Sequence, residues 1–518
     1  MKNLHKIINY TLLVLLISSC TKNIDITPVS NLYDDIFYKN LTEFDAALVG
    51  CYNGMQKPLM DEWALTELRS DNAIMGNPTS SSIPNRELSD LDLLIPATTH
   101  EKVYNYWLNS YYNIFNVNKV LSSLHISYDS SNAKLVYDTT FTLISDADRK
   151  RIAAQASFIR AYHYFNLVRL YGGVFLIDRP VTAAESKSIN RSSVQAIYNL
   201  IIADLKNANQ FGEPSKYANI AKNDLGRANK WAAQALLAKV YLTLNNKPQA
   251  RILLDSVIYQ SGYNLQPKYE DVFSTTNEMN SEILFAVRYQ AGKVGLGSPF
   301  PNMFAPSSSG NAIVNGDGDG YNYPSYDLPS AYSSADPRKN FNIKYYGSKL
   351  YSNKYILYDD IHHNSPLLFQ DDGENDWPVI RFADVKLMMA EVLGFSDSRA
   401  VGLINDIRTR VGLPDVTPTT DATFEQCLSN ERRLEFAFEN QRWFDMIRYN
   451  VTTSTITAEN ILKAHFAAIY NQHYASYLPV ISLQTLQSYV THEHLLLPIP
   501  QREIDNNTQL VIPQNPGY

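Results

Sequence analysis

The chain has 518 residues, 45% of them hydrophobic and 19% charged, so it can bury a large core and is not disordered along its length. Gly and Pro, at 21 and 24 residues, lie below ordinary usage, which excludes collagen-like and linker-rich chains. Lys and Arg number 45 against 52 Asp and Glu, a formal net charge of −7 with no basic run, which argues against a nucleic-acid partner because neutralising phosphates needs clustered cations.

At the N-terminus, Lys2 and Lys6 precede an apolar run from Ile7 to Ile17 that ends in Ile17-Ser18-Ser19-Cys20. The run is too short to span a bilayer, and a basic start, a short apolar stretch and small residues before a cysteine read as a signal peptide over 1–19. The Cys20 position resembles a bacterial lipobox, whose thiol is lipidated before cleavage. Several acyl chains on one residue give durable anchoring. Residues 20–30 then read as a lipidated tether and 31–518 as the body. The remaining cysteines, Cys51 and Cys427, sit in apolar helical stretches and read as core thiols rather than a disulfide, with pairing as the alternative.

Helical periodicity dominates the body. An early pair of helices is expected at 42–56 and 101–124. Over 149–170, Ala154, Phe158, Ala161, Phe165 and Val168 recur at spacings of four and three, placing them on one helical face, and Gly172-Gly173 is the stop. A helix over 227–244 carries a Trp231, Ala235, Ala238 and Leu242 stripe. Asn245-Asn246-Lys247-Pro248 turns the chain into a second helix ending near 259. Ala238, Tyr241, Ala250, Leu254 and Val257 have tetratricopeptide-like spacing. A further pair runs over 382–410, broken near Gly394 and stopped by Gly412-Leu413-Pro414. Such pairs stack into a solenoid, so the expected fold class is mostly α.

Two regions break the pattern. Residues 72–100 are rich in Ser, Pro, Asn and Thr, and residues 290–378 mix Gly, Pro, Asn, Asp and Tyr. Tyrosine is the compositional outlier, at 35 residues, and nine lie between Tyr321 and Tyr358. Long irregular segments in a compact body are usually functional. Tyr321, Tyr323 and Tyr326 alternate through a loop and are expected to line a ligand site, with Asn77 and Arg86 of the first region as hydrogen-bonding residues.

Stretches along nearly the whole body resemble the SusD/RagB lipoproteins of outer-membrane nutrient uptake. They include FDAALVGCYNGM (44–55), ELRSDN (67–72), AQASFIRAYHYFNLVRLYGGV (154–174) and GRANKWAAQALLAKVYLTL (226–244). They continue with SEILFAVRY (281–289), PVIRFADVKLMMAEVL (378–393), NERRLEFAFENQRWFDMIR (430–448) and the closing LLLPIPQREID and QNPGY. The resemblance implies a tetratricopeptide-like scaffold, with an N-terminal part over 31–270 and a C-terminal part over 271–518 that includes variable loops at 290–378. It also implies a surface lipoprotein, anchored by lipid to the outer membrane, that hands oligosaccharides or, in some branches, peptides to a SusC-like TonB-dependent barrel transporter.

Catalytic readings are weaker. Glu431, Glu435 and Glu439 are each one helical turn apart and could imitate a glycosidase pair. They share their stretch with Arg432, Arg433, Arg442, Asp445 and Arg448, so charge pairing that locks helices together is the favoured reading. No GxSxG, HExxH or P-loop is present. His492-Glu493-His494 and His362-His363 read as exposed loop histidines. Asn315, Asp317, Asp319 and Gly320 match the first half of an EF-hand loop, but position twelve is Tyr326 rather than Glu. A turn-rich loop is therefore expected, with calcium held in some other geometry as the alternative and no other cofactor. The five tryptophans fall within or beside the quoted motifs and are expected to pack. The expected function is capture of an oligosaccharide without catalysis. The rivals are a peptide-capturing RagB-like lipoprotein and, remotely, a surface glycoside hydrolase.

Overall fold

A computed structural model describes residues 37–79, 85–356, 369–507 and 509–518. The signal peptide, Cys20, the tether, His362-His363 and Tyr358 lie outside the described residues.

The principal helices are α1 (Leu41–Asn53), α2 (Gln56–Thr66), α3 (Asn85–Asp92), α4 (Glu101–Ser123), α5 (Asp146–Tyr171), α6 (Val194–Phe211), α7 (Lys230–Thr243) and α8 (Lys247–Gln260). They continue with α9 (Phe382–Leu393), α10 (Ser398–Arg410), α11 (Asp421–Glu435), α12 (Arg442–Thr452) and α13 (Ala458–Ile469). From α4 to α10 each helix packs on the next, giving the expected stacked, mostly α solenoid. Among the described residues, eight short strands form four two-stranded antiparallel sheets: β1 (Ala73–Ile74) with β5 (Tyr323–Pro324), β2 (Ile126–Asp129) with β3 (Lys134–Tyr137), β4 (Ile283–Val287) with β8 (Trp377–Arg381), and β6 (Ile343–Tyr346) with β7 (Lys349–Ser352).

The helix ends follow local chemistry. Ser145, Asn229 and Asn246 each accept a backbone N–H in the first turn of α5, α7 and α8. Gly172 closes α5 at φ +71°, a conformation that costs glycine nothing. The expected one-faced stripe on α5 proves too narrow. Nearly every residue from Ile152 to Tyr171 is buried, because α5 is central and packs on α4 and α6 at once. Its one deeply buried guanidinium near the middle, Arg160, is accordingly paired with Asp204 of α6 at 2.7 and 2.8 Å. The early pair also differs: α2, which the periodicity did not reveal, lies between α1 and α4 and packs on α4.

The 430–448 motif is not one helix. Helix α11 ends at Glu435, and Phe438 and Asn440 take left-handed conformations before α12 begins at Arg442. Glu439 is thereby turned to meet Lys354 and Arg381, while the Asn440 N–H reaches Glu67 at 2.7 Å. Of the two remaining thiols, Cys51 is buried in α1, where burial pushes it up to about 12, whereas Cys427 is only half-buried; both are free.

Candidate functional site

The two irregular regions meet. Strand β1 from the first pairs with β5 from the second, Ala73 opposite Pro324 and Ile74 opposite Tyr323. The Tyr323 hydroxyl accepts the Leu350 N–H of β7 at 3.0 Å, which adds a third wall. Between them lies an open cleft of about 620 Å³, lined by Met75, Gly76 and Asn77, by Ser307, by 319–323 and Tyr326, and by 348–350, with Trp63 and Leu68 from the α2 end. Its volume falls in the range of small-molecule sites.

Buried charge holds the roots of these loops. Arg433 reaches Asp71 at 3.1 Å and Asp327 at 3.0 Å, bridging the start of the first region to the second. Arg442 clamps Asp71 through two bonds of 2.7 and 2.9 Å. On the far side, the buried Asp92 carboxylate accepts from the Met75 N–H at 3.1 Å and from the Tyr474 and Tyr477 hydroxyls at 3.0 and 2.5 Å, and it lies 2.8 Å from His473 Nε2. The cleft wall at Ile74 and Met75 is thus fixed to α3 and to the 473–477 segment.

Of the residues expected at a ligand site, Tyr321, Tyr323, Tyr326 and Asn77 all line this cleft; Arg86, exposed on α3, does not. The tyrosines are not equivalent. Tyr321 is half-buried and stacks on Trp63, centroids 5.3 Å apart and planes at 17°. Tyr323 is half-buried between two core clusters. Tyr326 is exposed, edge-on to Tyr323 at 6.1 Å and to His473 at 6.4 Å. Asn77 is exposed, its side-chain oxygen accepting from Thr79 at 3.1 Å. Trp63, Ser307 and Lys349 were missed by sequence reasoning. Trp63 sits in a helix with nothing to separate it from the other packing tryptophans, all five of which are buried.

The EF-hand-like stretch is a backbone-capped loop. Asp317 Oδ1 accepts the Gly310 and Gly318 N–H groups at 2.9 and 2.8 Å, and buried Asn302 donates to the carbonyls of Asn315 and Asp317. Among the described residues no three His, Cys, Asp or Glu side chains are gathered as a metal site. His492 is exposed and His494 is half-buried, its Nδ1 2.7 Å from the Tyr489 carbonyl.

The glutamates of the signature motif are buried in ion pairs. Glu435 meets Arg410 at 2.5 Å and Arg338 and Arg381 at 3.0 Å; Glu431 meets Arg338 at 2.6 Å and Arg408 at 3.1 Å; Glu439 meets Lys354 at 2.7 Å and Arg381 at 2.8 Å. Burial alone would raise the Glu435 carboxyl, but the guanidiniums of Arg410, Arg381 and Arg338 override it and hold the group well below the usual range.

Two family models match the chain: one described as "Starch-binding associating with outer membrane", over residues 30–242, and one described as "SusD family", over 369–518. The chain belongs to the SusD/RagB family. A SusD-like protein of Formosa agariphila is 25% identical over 98% of both chains, and a SusD-like protein of Bacteroides ovatus is 25% identical over 97% of this chain and 96% of its own. Among solved structures, a laminarin-binding SusD-like protein superposes with a TM-score of 0.71 at 25% identity, covering 93% of this chain and all of that one. Surface glycan-binding protein A of Bacteroides thetaiotaomicron, in complex with laminarihexaose, superposes at 0.69 and 19% identity, covering 92% and 99%. The two family models leave out residues 243–368, the stretch that carries the cleft's segments at 306–326 and 348–350.

Proposed function

We propose that the protein captures an oligosaccharide in this cleft at the outer-membrane surface and passes it to a SusC-like TonB-dependent barrel transporter, without chemistry of its own. The observation that carries the reading is the cleft itself, an open trough in which Tyr rings alternate with amide, hydroxyl and backbone groups. Aromatic faces suit the apolar faces of sugar rings, and short polar side chains suit their hydroxyls. Relatives of the same fold named for laminarin and laminarihexaose add weight. Against catalysis stands the composition of the lining: Asp319 is its one carboxylate among the described residues, whereas glycoside hydrolysis ordinarily takes two. The signature glutamates are spent on ion pairs outside the cleft.

In this reading residues 1–19 are removed, Cys20 carries the lipid, 20–30 form the tether, and the body comprises parts 31–270 and 271–518. Among the described residues no helix is long and apolar enough to cross a membrane; in this reading the anchor is the lipid on Cys20. The test is a glycan and peptide array probed with the mature protein, followed by chromatography of the recovered ligand. Binding to oligosaccharides that return intact is expected. Binding confined to peptides would replace the ligand class, and shortened products would replace the function. Cys20→Ala should move the protein out of the membrane fraction.

A further inference from the structure

The oligosaccharide reading leaves the charge of the ligand open, and the cleft addresses it. Asp319 lines the cleft and is exposed, and its carboxylate has no hydrogen-bond or ion-pair partner among the described residues. Its place is built. The Asp319 N–H donates to the Asn302 carbonyl at 3.0 Å, and the Asn302 side-chain oxygen accepts the Asp371 N–H at 3.0 Å. One buried asparagine thereby sets Asp319 and Asp371 side by side and, through its side-chain N–H groups, holds the backbone of Asn315 and Asp317 as well. Partial burial, then Asp371 and Asp317, push the Asp319 carboxyl above its ordinary value, with Lys102 opposing them. Among the described residues the cleft's one lining cation is Lys349, at the start of β7, which directs its ammonium to the Ser307 carbonyl at 3.0 Å and hydroxyl at 3.4 Å.

Resting on the capture reading above, we propose that Asp319 is the group that accepts sugar hydroxyls in the cleft, and that with Asp371 and Asp317 behind it the site takes neutral oligosaccharides and rejects uronate- or sulfate-bearing ones. A free carboxylate presents two oxygens to the hydroxyls of a diol, and hydrogen bonds to a charged acceptor are the stronger kind. A uronate or sulfate in the same place meets like charge in a half-shielded setting, where opposition is felt more than in water.

The experiment uses the full-length protein in detergent against two series: neutral gluco-, manno- and xylo-oligosaccharides including laminarihexaose, and oligogalacturonides with sulfated galactan oligosaccharides. Binding confined to the neutral series is expected. Asp319→Ala should weaken the best neutral probe by about tenfold or more at unchanged melting temperature. Asp319→Asn, which keeps an acceptor and loses the charge, should lose less on the neutral probe and raise acidic relative to neutral binding, most visibly at low salt. A wild-type preference for the acidic series, or Asp319→Ala binding as wild type, overturns the inference and leaves capture standing. Silence across both series overturns the capture reading and this inference with it.

Discussion

Two regions of the molecule treat charge in opposite ways. Behind the cleft, Arg338, Arg381, Arg408, Arg410 and Lys354 meet Glu282, Glu431, Glu435, Glu439 and Asp336, five cations against five carboxylates joined through bonds of 2.5–3.1 Å, and the groups are buried or nearly so. At the cleft rim, Asp319, Tyr326 and Asn77 are exposed, and the Asp319 carboxylate is unpaired among the described residues. A buried charge without a partner is costly, so the network permits essentially one arrangement of α10, α11, β4 and β8. The rim needs no such closure, because water satisfies its groups until a ligand does. Paired buried charge is thus concentrated in the scaffold, and unmet hydrogen-bonding capacity in the cleft proposed to bind.

The sharpest way to break this contrast is to open the network. Arg381→Met removes the guanidinium shared by Glu282, Glu435 and Glu439 and leaves buried carboxylates undercompensated. Loss of roughly 3–5 kcal/mol of stability is expected, read as a large drop in the urea midpoint or as failure to fold. A variant that unfolds at the wild-type midpoint would show that the network is not what fixes the scaffold.

The network also explains what sequence could and could not reveal. Helices with capping residues and regular stripes, α5, α7, α8 and α9, could be placed to within a few residues, because Ser145, Asn229, Asn246, Gly172 and Gly394 act locally. The break at 436–441 was hidden, since the left-handed turns at Phe438 and Asn440 answer to Lys354, Arg381 and Glu67, which are remote in sequence. Helix α2 was hidden by its weak apolar periodicity and by Pro58 within it. At the cleft, Tyr321, Tyr323, Tyr326 and Asn77 could be singled out by composition and loop context. Their meeting depends on the β1–β5 pairing, two residues long and some 250 residues apart in the chain, which carries no local signature.

Between scaffold and cleft stands Asp71, and pH sharpens its role. Burial alone would raise its carboxyl, but Arg433 and Arg442 hold it down to about 2. Its folded value lies below its unfolded one, so the folded state binds fewer protons in between. The stabilisation is present above about pH 4 and is lost as pH falls towards 2, an effect of roughly 2 kcal/mol. Urea midpoints measured across that window should show Asp71→Asn less stable than wild type at pH 6, with the gap narrowing as pH falls towards 2. A gap that stays constant would mean the ion pairs with Arg433 and Arg442 contribute nothing beyond packing.

The smallest expected effects lie at the tyrosines, and there the structure separates what the sequence treats as one set. Tyr321 stacks on Trp63 and Tyr323 is wedged between two core clusters, so replacing all three tyrosines with Ala should cost stability as well as affinity, the latter by tenfold or more. Exposed loop residues rarely contribute much to stability, and of the three tyrosines that describes Tyr326 alone. Tyr326 is 39% exposed, and its ring meets those of Tyr323 and His473 edge-on. Tyr326→Ala should weaken oligosaccharide binding by roughly 1 kcal/mol, the scale of one aromatic contact, or about fivefold. It should shift unfolding by no more than about 0.5 kcal/mol, as surface substitutions do. Calorimetric titration beside thermal melts reads both quantities on one sample. If affinity is unchanged while stability falls, Tyr326 belongs with the scaffold and the binding face of the cleft lies at Asn77 and Asp319; if both are unchanged, the aromatic face presented to the ligand is that of Tyr321.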